Sequence, residues 1–306
     1  MAGRGARVLI GGAVGVGTAL LGLAPWLVTG ARLPLQNIWL EQTLPEDMPT
    51  ALLPLNQYYV ASIAAMLVLG GAFAGIGLRV LRARGTALPA WAAAVGAVLV
   101  QLVALAQSTV ALRSGLGDDG RSQAYVAALV AGSAACVVLS ATVLAALARA
   151  GTAGAAVALG AAGIASMSWL DGLVLESRDV ASLVYGSPLT YVREWLPILV
   201  VAGAAAWSGF VTVRRSVATV VILVMLWVVP AATTAVAYVL TPIYLKFPEE
   251  IPAAGLQVMR MALGPDGGAV ERMVVAVVIV AGVAVWRIVA GRRSGTRDEV
   301  SANAAA

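Results

Sequence analysis

The residues best suited to chemistry in this chain are carboxylates gathered between apolar runs: Glu41, Glu46 and Asp47; Asp118 and Asp119; Asp171, Glu176 and Asp179; and Glu249, Glu250 and Glu271. Neighbouring acids of this kind could supply a general acid/base pair or ligate a divalent cation. Little else supports such chemistry. The chain contains no histidine, which removes imidazole bases, histidine metal sites and the Ser-His-Asp triad together. Cys136 is its single cysteine, so neither a thiol cluster nor an intramolecular disulfide can form. Gly11, Gly12, Gly15 and Gly17 follow no strand and lie in an apolar run, so they do not make a nucleotide-binding loop. No catalytic residue, cofactor or metal site is assigned from the sequence.

Glu46 and Asp47 form the candidate outer acidic site. Their place in the first long polar loop resembles that of the acidic residue in polytopic glycosyltransferases that use lipid-linked donors, a resemblance carried by these two residues. It implies an outer-face transferase. Asp118-Asp119-Gly120 is more simply a turn. No Asp, Glu, Lys or Arg falls near the middle of an apolar run, and Asp171 comes nearest. Ionised groups at that depth mark ion-coupled carriers, so their absence argues against one. Neutral polar groups remain. Gln101 and Ser108 are seven residues apart and share a helical face, while Pro230 should kink its helix one turn before Thr233 and Thr234. Gln101, Ser108, Pro230 and Thr233 are the candidate polar pathway, although interhelical hydrogen bonding is the favoured role for the first two.

These groups must be positioned by membrane helices. With 60% apolar and 11% charged residues, the composition suits a chain whose main solvent is lipid. Eight apolar segments, near 8–30, 59–80, 90–112, 124–148, 154–175, 195–213, 216–240 and 270–290, are each long enough to cross a core that needs ~20 residues. Assigning the intervening gaps to alternate sides places Arg4, Arg7, Arg79, Arg82, Arg84, Arg149, Arg214 and Arg215 on one side. With Arg287, Arg292, Arg293 and Arg297 also on that side, against Asp298 and Glu299, the balance is +10 there and −5 on the other, matching the overall +5. By the positive-inside rule both termini are cytoplasmic. The basic balance is therefore topological and implies no nucleic-acid partner. The Val8–Gly30 run is too long for a leader's apolar core and is expected to stay as a spanning helix. Abundant Ala, Gly, Val and Arg with one lysine suggest a bacterial plasma membrane.

The expected fold is thus all-α: a polytopic membrane protein of eight transmembrane helices, N-in and C-in, forming one domain over 1–306. The sequence also admits a 4+4 parallel repeat with halves 1–150 and 151–291, since Trp26 and Trp169 end corresponding segments. A disordered cytoplasmic tail is expected over 292–306. Short amphipathic helices are expected in the outer loops, after Pro34, from Ser177 and from Pro252. Leu35, Ile38 and Trp39 share a face and form the candidate partner surface. Gly11 with Gly15, Gly71 with Gly75, and Ala128, Gly132, Cys136 and Ser140 form small-residue stripes for helix packing. The expected role is a non-enzymatic subunit of a membrane protein complex, with membrane lipids and another membrane or extracytoplasmic protein as partners. Transport of a neutral or lipidic solute is the alternative, and the outer-face transferase the second.

Overall fold

The computed structural model describes residues 3–33, 43–44, 46–175, 188–241 and 247–304. Among these the chain is helical and has no strand; an isolated antiparallel bridge joins Arg32 and Thr50. Among the described residues nine α-helices follow in order: α1 Arg4–Val28, α2 Val60–Ala83, α3 Ala90–Arg113, α4 Gly120–Arg149, α5 Thr152–Leu175, α6 Pro188–Ser208, α7 Val213–Val239, α8 Ile251–Leu263 and α9 Ala269–Ala304. Seven of them, all but α6 and α8, are long and apolar enough to cross a membrane.

In the first half, α1 packs on α2 and α3, and α2 on α4. Small residues allow this close approach. A Cβ added at Gly15 would collide with the Ala93 carbonyl, and one at Gly71 would collide with the Ser140 carbonyl. The glycine pairs of α1 and α2 therefore sit where backbones meet, as their four-residue spacing predicts. The stripe on α4 is different. Gly132 is exposed, and no described atom lies within 4 Å of where its Cβ would stand. The helix instead buries Ser133, Val137, Ser140 and Leu144, a face rotated from the expected one and sharing only Ser140 with it.

In the second half, α5 packs on α6 and α7, and both of these contact α9. The segment expected over 195–213 becomes α6, which begins earlier and stops at Ser208. Gly209 follows with φ +64, a left-handed residue that ends a helix at low cost because it lacks a Cβ. Thr212 then caps α7 by accepting the Arg215 N–H at 3.4 Å. Arg193, Glu194 and Pro197 make α6 less apolar than its neighbours. It nevertheless runs beside the length of α5: Arg193 pairs with Asp171, Val200 and Val201 face Gly163, and beyond the end of α6 Arg215 reaches Thr152.

Of the expected amphipathic loop helices, the one after Pro34 and the one from Ser177 lie outside the described residues. The third is present as α8, with Pro252 in its first turn. It runs antiparallel along α7, with Gly255 against Val239 and the Trp227 Nε1–H donating to the Leu263 carbonyl at 3.2 Å. The helical backbone of α9 continues to Ala304, through residues expected to form a disordered tail. That stretch contains no proline to stop it.

Candidate functional site

Two places bring polar groups together at the carboxylate-rich end of the helices, and they differ in how those groups are used. In the first half, residues 48–56 fold back into the bundle as an extended strap. Met48, Ala51, Leu53, Leu55 and Asn56 are all buried. A strap carries backbone N–H and C=O groups that no helix satisfies, and leaving them bare in an apolar surrounding is costly. Side chains of the bundle supply the missing partners. Ser108 Oγ accepts from Leu53 N–H (2.7 Å) and Gln107 Oε1 from Leu52 N–H (2.9 Å), while the Gln107 amide donates to the Thr50 carbonyl (2.8 Å). The Trp26 indole donates to the Ala51 carbonyl (2.6 Å) and the Arg32 guanidinium to that of Met48 (2.8 Å).

Gln101, one turn pair further along α3, donates to the Leu67 carbonyl at 2.8 Å and to Ser140 Oγ at 3.0 Å, tying α3 to α2 and α4. Gln101 and Ser108 are both buried and do not line the groove described next. They make interhelical and loop-holding bonds, the role favoured for them above. The strap itself escaped the sequence reading, because a proline-bounded loop of alternating apolar residues looks like any exposed connection.

The second place is a groove of about 640 Å³ between the halves, within the size range of ligand sites. Its walls are apolar and small: Ala61, Ala64, Ala65 and Val68 on α2, and Ala161, Ile164 and Ala165 on α5. Met225 and Val229 of α7 and Leu139 of α4 complete them. Its rim is charged, with Asp171 from α5, Arg193 and Glu194 from α6, and Arg272 from α9. Arg193 Nε and the Asp171 carboxylate form an ion pair. The side chains of Glu194 and Arg272 have no hydrogen-bond or ion-pair partner among the described residues. Pro230, Thr233 and Thr234 line the groove as well. Both threonine hydroxyls donate to the Pro230 carbonyl, at 2.8 and 3.0 Å, and their oxygens keep lone pairs free to accept.

The four residues of the expected polar pathway are thus divided: Pro230 and Thr233 line the groove, and Gln101 and Ser108 hold the first half together. Glu46 and Asp47 are exposed on a turn closed by Asp47 N–H donating to the Leu44 carbonyl at 2.9 Å, and neither lines the groove. Leu35, Ile38 and Trp39 lie outside the described residues. Among the described residues no group of three or more His, Cys, Asp or Glu side chains is placed to hold a metal ion. The rim could not be read from the sequence, because its charges come from three helices and were scattered over about a hundred positions. No family model, no curated protein and no solved structure matches this chain.

Proposed function

We propose that this is a multi-pass membrane protein that admits an amphiphilic, lipid-class solute into the groove between its halves. One observation carries the reading: an apolar, alanine-walled slot leads up to a ring of charged and hydroxyl side chains at one end. An acyl chain would occupy the slot and its headgroup the rim. This develops the lipidic-solute alternative ahead of the accessory-subunit reading, whose surface at Leu35, Ile38 and Trp39 lies outside the described residues. It also stands ahead of the transferase reading, since Glu46 and Asp47 sit on an exposed turn away from the groove.

The orientation proposed with it has eight crossings, with α6 the eighth and both termini cytoplasmic. The antiparallel run of α6 along α5 supports that count, and the charge asymmetry supports the orientation. The rim then lies in the outer leaflet, about one helical turn below the end of α5, and α8 dips beside α7 in the same leaflet. A 4+4 parallel duplication is proposed on similar grounds. Counting α9 as the fourth long helix of its half, each half packs its first helix on the second and third, its second on the third and fourth, and its third on the fourth. The groove would then be the seam between two related units in a bacterial plasma membrane.

A photoreactive amino acid at Met225, inside the groove, and another at the outward-facing Val138 test the reading in native membranes. Met225 should capture a restricted set of amphiphiles that survives detergent washing, while Val138 captures bulk lipid. Ala64→Trp, which fills the slot, should lower the Met225 capture at least about tenfold, the change expected for some 1.4 kcal/mol. Identical lipid profiles at the two positions would overturn the proposal.

A further inference from the structure

We infer that the groove selects a zwitterionic amphiphile, one whose headgroup joins a phosphate to an ammonium; this rests on the groove being a lipid-class site. The rim holds two cations and two anions. Asp171 and Arg193 neutralise each other, leaving Glu194 on α6 and Arg272 on α9 without a partner among the described residues. Both line the same groove, Arg272 half-buried and Glu194 exposed.

The four classes of headgroup meet this rim differently. An anionic headgroup would satisfy Arg272 and be repelled by Glu194. A cationic one would do the reverse, and an uncharged one would leave both ions bare. A phosphate linked to an ammonium satisfies both at once. The guanidinium of Arg272 offers paired donors matched to phosphate oxygens, and the Glu194 carboxylate accepts from the ammonium. The hydroxyls of Thr233 and Thr234 strengthen the second half of this match. Their protons are committed to the Pro230 carbonyl, so they face the groove as acceptors, and an ammonium carries only donors. Alanines at 61, 64 and 65 leave room beneath the rim for a chain.

The test uses the full-length protein in lipid nanodiscs, with photoreactive phosphatidylethanolamine and phosphatidylglycerol of identical acyl chains competing at equal concentration. Capture is mapped by peptide mass spectrometry. Groove peptides containing Met225 should carry phosphatidylethanolamine over phosphatidylglycerol by about tenfold. Glu194→Gln should bring that ratio close to one by removing the repulsion of the anionic lipid, and Arg272→Gln should reduce capture of both lipids. Equal capture of the two lipids by the unaltered protein, or preference for phosphatidylglycerol, would overturn the headgroup inference and leave the lipid-site reading standing. Absence of both lipids from the groove peptides would overturn the lipid-site reading itself. The ratio in the unaltered protein decides the matter even if a variant fails to fold.

Discussion

The strap of the first half and the groove between the halves show two fates for polar atoms set among apolar helices. In the strap, the hydroxyl of Ser108, the amide of Gln107 and the indole of Trp26 are each consumed by a backbone group of the same chain. In the groove, Glu194 and Arg272 have no such partner among the described residues, and the threonine hydroxyls have given their protons to their own helix. Polar groups that are spent hold a structure together, whereas unspent ones beside an open volume are suited to binding. Polarity of a residue within an apolar run does not distinguish the two. Its neighbours in space do.

The largest effect that would test this contrast is predicted at a helix contact in the first half. Gly15→Leu should leave no folded protein, because its Cβ would already overlap the Ala93 backbone and a carbonyl cannot move aside as a side chain can. The cost should exceed the ~1–3 kcal/mol usual for overpacking. Gly132→Leu should be tolerated, since no described atom lies within 4 Å of its added Cβ. Yield of monodisperse protein after detergent extraction reads both, and equal losses would mean that the burial of α4 is wrongly drawn. Next, Leu53→Ala should cost about 2–5 kcal/mol, as for other fully buried leucines, because Leu53 is 0% exposed. An unchanged thermal midpoint would show that the strap is not part of the core.

A smaller and more pointed difference separates two hydroxyls. Ser108→Ala should destabilise by about 1–3 kcal/mol, because it orphans the Leu53 N–H at a buried site. Thr233→Ala removes a bond made only to its own helix and should stay within about 0.5 kcal/mol, yet weaken retention of amphiphile in the groove. Thermal unfolding paired with lipid capture measures both. If Ser108→Ala changes capture and leaves stability alone, the roles assigned to the two regions are reversed.

What was legible in advance follows the same division. The four-residue spacings of Gly11 with Gly15 and Gly71 with Gly75 identified true contacts, since close approach of backbones demands small residues at one face. On α4 small residues occupy several faces, so periodicity alone could not choose between Gly132 and Ser133. Pro230 and Thr233 could be paired because one helical turn links them. The rim could not, because Asp171, Arg193, Glu194 and Arg272 meet only after α5, α6 and α9 have packed. Segment 195–213 was placed correctly as a helix but ended too late, since Gly209 adopts a left-handed conformation that its surrounding apolar residues do not announce.

The smallest predicted effect concerns helix caps, one in each half. Asp119 caps α4, accepting from the Ser122 N–H at 2.9 Å, the Ser122 hydroxyl at 2.9 Å and the Arg121 N–H at 2.8 Å. These bonds, that from the Ser122 backbone foremost, hold its carboxyl below the usual value of 3.8. A carboxyl whose folded value is depressed binds fewer protons in the folded state than in the unfolded state. Its stabilisation is therefore present above 3.8 and fades as the pH falls through the lowered value. Thr212, which caps α7, has no such charge to lose. Asp119→Asn keeps a good capping side chain, so it should change the thermal midpoint little at neutral pH. At pH values below 3.8 it should remove one small part of the acid-induced loss. Thr212→Ala should lower the midpoint by the same amount at both pH values. If Asp119→Asn leaves the acid-induced loss unaltered, or if the Thr212→Ala effect itself depends on pH, the difference between these two caps does not lie in the charge of Asp119.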